Sequence, residues 1–477
     1  RFTHPGVIFQ RVVFSNEGHR RLDARIIGRK TGINHALQAC VSHRSVASKS
    51  ARSVFTGLAL TTGRRCVVKT TVVNRIRMFR VVAFTLQILS ANDKLESFLN
   101  RLVIAFVSQF LKRIYQERRI CLTPDAVSSL TSHGHRVMIE AGAGLSSSYS
   151  DKEYSDAGAE VTNDTKKVLS CPMLLKVEPP TLEEIEMMNQ EAIVISAIQL
   201  KTQKKEYFDA LAQKRITALA FEFIKDEDGS YPAVKSLSEI AGVASVLIAS
   251  ELMINNQFGK GLLFGNITGV PPTEVVILGA GTVGEFAAKS ALGLGASVKV
   301  FDNSITKLRR LQNNLNQRIF TSTIQQKALL KALRRCDVAI GAMRGKERCP
   351  VVVSETMVEL MKKGSVIVDV SIDTGGCFET SEVTTHEKPT FIHHEVIHYC
   401  VPNIASRVSR TASFALSNIF SPLILEMGEK GGVVDLVRMH SGFRNGVYIY
   451  KGILTNEILG KVFDLNYKDI NLLLPGM

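Results

Sequence analysis

VVILGAGTVGEFAAKSALGLGASVKVFD, residues 275–302, carries more structural information than any other stretch of this chain. Val275, Val276, Ile277 and Leu278 form a short unbroken apolar run, as in a parallel strand buried on both faces. Gly279-Ala280-Gly281-Thr282-Val283-Gly284 follows and spells GxGxxG. Phe286, Ala287, Ala291 and Leu292 then repeat at helical spacing, Gly293 and Gly295 stop the helix, and Val298 to Phe301 read as a second strand. In such a unit the first glycine permits a tight turn, the second lets backbone approach a pyrophosphate, and the third lets helix pack on strand. The helix N-terminus offers free N–H groups and partial positive charge to that anion. Asp302 closes the second strand, where a carboxylate accepts bonds from an adenosine ribose. Strand, glycines, helix, strand and acid in this order predict a dinucleotide site. The acid would repel a 2′-phosphate and so favours NAD over NADP, with Lys307, Arg309 and Arg310 close behind it as the opposing charges.

The chain has 477 residues, room for two or three domains, with 45% hydrophobic and 22% charged residues. Its formal net charge of +15 suggests a nucleic-acid partner until it is located. Residues 1–112 contain 19 Lys/Arg against four acids, so the first quarter holds all of the excess and the remainder is neutral. That localised charge argues against a nucleic-acid-binding body. The eight cysteines show no CxxC and no regular spacing, as expected of reduced, mostly buried thiols in a cytoplasmic protein. No uncharged apolar run reaches the ~18 residues of a membrane span, so no membrane partner is expected.

Residues 1–112 read as a basic extension without sustained periodicity, apart from a helical stretch near Leu95–Leu111. A transit peptide, a nucleic-acid arm or a poorly structured extension would each have this composition. From Arg113 the pattern changes. Thr123-Pro124 is a helix start, with Thr as N-cap and Pro in the first turn. Strands are expected at Val137–Ile139, Met173–Val177, Ile193–Ile198 and Ile216–Ile224, with helices such as Leu182–Met188 and Lys204–Lys214 between them. Residues 233–256 read as one long connecting helix. Further strands at Val338–Gly341, Val366–Val370, Thr390–Ile392 and Ile397–Val401 complete a doubly wound sheet. Ser409–Met427 is helical with Pro422 as a kink, and the rest reads as short helices and turns.

Ligands of open α/β sheets bind beyond the strand C-termini. That rule singles out Lys176, Gln199, Asp373 ahead of Thr374-Gly375-Gly376, and Asn403, with Arg119 just before the Thr123 cap. Each also has a plain reading, as a solvated strand-end or turn residue or, for Arg119, a surface charge. His394-Glu395-Val396-Ile397-His398 matches the zinc motif HExxH, which needs a helix to bring its histidines together. Pro389 and the β-branched surroundings predict strand instead, where residues four apart lie about 13 Å from each other. No metal site is therefore expected.

The stretches ERRICLTPDAV, GHRVMIEAGAG, LLKVEPP, SLSEIAG, VVILGAGTVGEFAA, VFDNSITKLRRL, IVDVSIDTGGCFETS, THEKPTF and HYCVPNIAS resemble the alanine dehydrogenase family, which includes the nucleotide-binding part of transhydrogenase. They run in order across roughly residues 117–477. The resemblance implies an α/β fold of two Rossmann-like doubly wound domains, the substrate domain discontinuous (113–232 and 410–477) around an NAD domain (233–409), plus the atypical basic N-terminal extension (1–112). It implies that Arg119 and Lys176 hold a substrate carboxylate, and that Asp373 assists proton transfer. It implies that Gly279, Gly281, Thr282, Val283, Gly284, Asp302, Ser238 and Asn403 hold NAD. The activity implied is reversible oxidative deamination of L-alanine to pyruvate and ammonium by a homo-oligomer, often a hexamer. The alternative is an NAD(H)-binding module without turnover. Two departures stand out. Gln199 occupies the place of a catalytic histidine and does not titrate, and the family's opening strand is replaced by RLVIAFVSQFLKRIYQ.

Overall fold

The computed structural model describes residues 103–106, 117–255, 259–345 and 348–474. The chain builds two Rossmann-like sheets in succession and then returns to the first. The first sheet comprises β1 (Val103–Phe106), β2 (Arg136–Glu140), β3 (Glu160–Thr162), β4 (Met173–Leu175), β5 (Ile193–Ser196) and β6 (Thr217–Ala220), all parallel, with antiparallel β14 (Val447–Tyr450) and β15 (Ile453–Leu454) on one edge. The second comprises β7 (Glu274–Leu278), β8 (Ser297–Phe301), β9 (Phe320–Ser322), β10 (Val338–Gly341), β11 (Val366–Asp369), β12 (Thr390–His393) and β13 (Val396–Tyr399). The spatial orders are β15-β14-β6-β5-β4-β1-β2-β3 and β12-β13-β11-β10-β7-β8-β9. The first contains the doubly wound order 3-2-1-4-5-6, and the second 3-2-1-4-5 followed by β13 and then the antiparallel edge strand β12, each with its switch point between the first and fourth strands.

The principal helices are α1 (Pro124–Ser132), α2 (Leu182–Met187), α3 (Pro232–Ile254), α4 (Thr282–Gly293), α5 (Glu355–Glu359) and α6 (Ser409–Glu429). The strand period of two explains the layering. Val137 and Ile139 face one core of the first sheet with Met173 and Leu175, whereas Met138 and Leu174 face the other. In the second sheet Val275 and Ile277 divide in the same way from Val276 and Leu278. Both sheets are therefore covered on both faces, which accounts for strands that read as continuous apolar runs.

Helix α3 is long and apolar enough to cross a membrane by length and composition. Here it packs on α4: a Cβ at Gly242 would stand 2.4 Å from the Val283 carbonyl oxygen, so only glycine permits the approach. The six described cysteines are buried and unpaired.

The opening strand is not missing. Ile104 and its neighbours supply it as β1, paired in parallel with both β2 and β4, at the centre of the sheet. A boundary at residue 112 therefore leaves out a central strand, and the helix expected over Leu95–Leu111 is extended at 103–106. Periodicity cannot separate strand from helix in so short an apolar run; the remainder of residues 1–112 lies outside the described residues. The C-terminal segment likewise holds β14 and β15 where only helices and turns were expected. Thr123 caps α1 by backbone alone, because its hydroxyl bonds to Ser417 at 3.1 Å instead.

Ile104 is fully buried in β1. Ile104→Ala in the full chain is expected to lower unfolding stability by roughly 2–5 kcal/mol, read by chemical denaturation. An unchanged midpoint would remove β1 from the core.

Candidate active site

The candidate residues emerge at the C-terminal ends of the parallel strands in both sheets. Lys176 follows β4, Gln199 follows β5, and Glu222 follows β6. The glycine loop follows β7, Asp302 follows β8, Arg344 follows β10, Asp373 follows β11, and Asn403 follows β13. Lys176 and the glycine loop thus border the two switch points, where an open sheet splays and leaves a crevice.

Direct bonds join the two groups. Glu117 takes Arg119 in a bidentate grip, with Nε to Oε1 at 2.7 Å and Nη2 to Oε2 at 2.6 Å. The Asn403 side-chain amide donates to Glu117 Oε2 at 3.0 Å, and its backbone N–H donates to Asp373 Oδ1 at 2.9 Å. A continuous path therefore runs Arg119–Glu117–Asn403–Asp373 across the two sheets. Asn403 adopts a left-handed conformation, φ 55°, which asparagine tolerates better than most residues. Burial pushes the Glu117 carboxyl up, but the Arg119 guanidinium outweighs it and holds the acid ionised, below its ordinary range. The grip leaves the Nη1 amino group of Arg119 turned away from Glu117.

Arg119 is no surface charge; its side chain is 7% exposed. Three serines position its segment. Ser406 Oγ accepts the Arg118 N–H at 3.1 Å, Ser413 Oγ accepts that of Ile120 at 2.9 Å, and Ser417 Oγ accepts that of Thr123 at 3.0 Å. Two of these lie one turn apart on α6, so a helix face replaces a sheet partner for an extended segment.

Lys176 is also internally paired: its Nζ lies 2.6 and 2.7 Å from the two oxygens of Glu184, with both side chains almost wholly buried. Glu184 is fixed in turn by the capping box of α2, accepting the Thr181 N–H at 2.6 Å. Glu222 accepts the Ile198 N–H at 3.0 Å and is bonded to the Gln199 backbone, holding the turn in which Gln199 is left-handed at φ 46°. Burial pushes the Glu222 carboxyl up to about 7, with those N–H groups, Arg344 and Arg119 pulling the other way. Asp373 is exposed on a loop that buried Asp369 anchors by accepting from the Ser371 and Cys377 N–H groups and the Ser381 hydroxyl. Positive φ at Gly375 and Gly376 turns the loop back.

The dinucleotide loop tests well for its ligand. Gly279 has φ 112°, and a Cβ there would meet the Ala342 carbonyl oxygen at 2.4 Å; a Cβ at Gly284 would meet Gly279 O at 1.9 Å. A Cβ at Gly281 would meet nothing within 4 Å, so that glycine keeps open the space in front of the α4 N-terminus, where Thr282 and Val283 begin the helix. A pyrophosphate fits such a cradle. Asp302 is buried and accepts the Ala280 N–H at 2.8 Å and the Ser304 N–H at 2.7 Å, so it also shapes the loop. Ser238 sits partly exposed in the second turn of α3, and among the described residues no hydrogen bond joins it to the other candidates.

The acidic partners of these candidates were missed in the sequence. Glu117 stands two positions from Arg119 in an extended segment, a same-side spacing that was available as a signal. Thr181-Leu182-Glu183-Glu184 spells a capping box. Glu222 was absorbed into an expected strand over Ile216–Ile224, which in fact ends at Ala220.

The HExxH segment forms no helix. His394 and Glu395 make the left-handed turn between β12 and β13, while His398 lies buried in β13, bonded to Thr380 and to the Val396 carbonyl.

Models of the alanine dehydrogenase/PNT family match in two parts, the N-terminal domain over residues 110–241 and the C-terminal domain over 245–457. The chain belongs to the alanine dehydrogenase/PNT family. It is 38% identical over 355 residues to the alanine dehydrogenase of Mycolicibacterium smegmatis, covering 74% of this chain and 95% of that protein. It is 37% identical over 354 residues to that of Methanococcus maripaludis, at 74% and 94% coverage. A solved L-alanine dehydrogenase superimposes with a TM-score of 0.71 at 33% identity, over 76% of this chain and 99% of that one. The transhydrogenase of Sinorhizobium meliloti, at 23% identity and a TM-score of 0.63 over 74% and 99%, shares the fold. As its relatives' names indicate, this member of the alanine dehydrogenase/PNT family is an oxidoreductase with a nucleotide-binding fold.

Gly281→Val should leave the melting temperature nearly unchanged, since open space surrounds the new side chain, while abolishing NADH binding measured by fluorescence. Gly284→Val should instead disrupt folding. Retained NADH binding in the Gly281 variant would place the dinucleotide elsewhere.

Proposed function

We propose that the chain catalyses reversible, NAD-dependent oxidative deamination of L-alanine to pyruvate and ammonium. The observation that carries this reading is the bonded path Arg119–Glu117–Asn403–Asp373, which ties a carboxylate-binding cation to a proton-handling acid beside the dinucleotide loop. NAD, when bound, supplies the hydride acceptor. Gly281, Thr282, Val283 and Gly284 would hold its pyrophosphate through their N–H groups, and Asp302 would hold its adenosine ribose with a charge that opposes a 2′-phosphate. Asn403 and Ser238 would complete the hold on NAD.

Arg119 and Lys176 receive the alanine carboxylate, an anion suited to a guanidinium fork beside an ammonium. Their standing partners, Glu117 and Glu184, hold both cations in place, and Glu117 favours the charged form of Arg119. A substrate carboxylate adds a second anion to each pair, so it shares each cation with a resident acid.

Oxidation gives an iminium at the former α-carbon. Water must then add to it, and ammonia must leave protonated. Asp373 activates the water and returns a proton to the departing nitrogen. Gln199 hydrogen-bonds the substrate but carries no proton. Glu222 takes over the role of the missing histidine, because its carboxyl changes charge near neutrality and holds the Gln199 turn. The assembly is a homo-oligomer.

Adding L-alanine and NAD to the full chain at alkaline pH is expected to raise NADH absorbance, and Asp373→Asn to cut turnover roughly 10²-fold or more. Lys176→Met should be made together with Glu184→Gln, since removing the lysine alone strands a buried carboxylate at a cost of roughly 3–5 kcal/mol; the pair should raise the KM for alanine. No alanine-dependent NADH with NADH still bound would establish a binding module instead.

Glu222 gives a second test with a definite sign. A base works deprotonated, so kcat/KM for alanine oxidation should climb as pH rises through about 7. Glu222→Gln should erase that limb as well as lower the rate. A limb surviving in the variant would assign the titration to another group.

A further inference from the structure

The turn joining β12 to β13 places three metal-ligand side chains together, apart from the strand-end residues described above. His393 is the last residue of β12, His394 is the first residue of the turn, and Glu355 opens α5. The antiparallel register pairs His393 with Val396, which fixes the turn at two residues. Both imidazole Nε2 atoms lie 2.9 Å from the same carboxylate oxygen, Glu355 Oε1, and the three donor atoms all fall within 4.8 Å of one another. The two rings meet edge to face at 4.4 Å between centroids. The side chains of His393, His394 and Glu355 are 39%, 32% and 52% exposed, so an ion reaches them directly from solvent.

We propose that Glu355, His393 and His394 form a binding site for one divalent transition-metal ion of the zinc class. Two imidazole nitrogens and one carboxylate oxygen are a donor set that zinc and cobalt take readily. Calcium and magnesium, which require oxygen ligands, are disfavoured by the two nitrogens. A tetrahedral ion with bonds of about 2.0–2.1 Å holds its ligand atoms about 3.3 Å apart. The observed nitrogen–oxygen separations need only open by a few tenths of an ångström. Binding uses the Nε2 lone pairs, so each ring carries its proton on Nδ1 in the metal complex, and the fourth position is left to water.

The arrangement also separates this site from the HExxH motif that overlaps it. His398 has both ring nitrogens engaged inside the sheet, by Thr380 and the Val396 carbonyl, and cannot contribute. His394 instead acts with its immediate neighbour. An ion here would pin the tip of the β12–β13 hairpin, the outer edge of the second sheet, to the start of α5.

The test uses the full chain, stripped with a chelator and titrated with zinc chloride or cobalt chloride alone. The expected result is one equivalent of ion per chain, visible d–d absorption of a four-coordinate cobalt complex, and a higher melting temperature with zinc. His393→Ala and His394→Ala should each weaken binding roughly tenfold or more, and Glu355→Gln should weaken it too, while His133→Ala on the exposed end of α1 should not. No saturable binding would overturn the proposal. So would binding of equal strength in the His393 and His394 variants, which would assign the ion to other donors such as thiols.

Discussion

Glu117 is the carboxylate on which the cleft depends. One side chain accepts from the guanidinium of Arg119, from the side-chain amide of Asn403, and from the backbone N–H groups of residues 118 and 119. Arg119 belongs to the segment pinned by α6, and Asn403 belongs to the loop after β13, so this acid is bonded to both walls at once. Its charge is maintained because the guanidinium offsets the penalty of burial. Replacing it by an apolar residue would remove the bidentate partner of a buried arginine and the acceptor of the Asn403 side-chain amide. The cleft would then lose its geometry and its charge balance in one step.

The same design recurs at Lys176, where Glu184 is held by its own capping box before it meets the ammonium. In both cases an acid fixed by local backbone geometry presents a cation that a substrate would need. The cations do not depend on the ligand for their orientation. The cost is competition, since any incoming carboxylate shares them with an anion already in place.

The second sheet was almost fully legible in the sequence, because each of its central strands is an apolar run ended by glycine or a polar turn. The three-residue β3 and β9 were missed, being too short and too exposed at the sheet edges to show alternation. β1 was missed for a different reason: a four-residue apolar run fits helix and strand equally, and only its pairing with β2 and β4 decides between them. β14 depends on a register with β6, more than 200 residues away, and β15 then pairs with β14. Among candidate site residues Lys176 was visible from its strand-end position, whereas Arg119, just before the Thr123 cap, read as a surface charge. Their acidic partners were less visible, since Glu117 and Glu222 gain meaning only from tertiary contacts. Thr123 shows the reverse, a correct helix start whose expected cap bond is diverted to Ser417 on α6.

The chain passes between the two sheets twice, outward through α3 and back through the turn and helix that begin at Ile404 and Ser409. A single crossing would leave one sheet able to swing about three independent axes relative to the other. Two crossings remove that freedom and confine large relative rotation to the line through both, like a door on two hinges. The side of the cleft away from that line is then the side that can widen. Asn403 lies one residue before the return crossing, so the bond from its amide to Glu117 sits close to the pivot. Near the pivot a rotation displaces atoms least, which lets a 3.0 Å hydrogen bond persist through an angle that would separate the far edges by several ångströms.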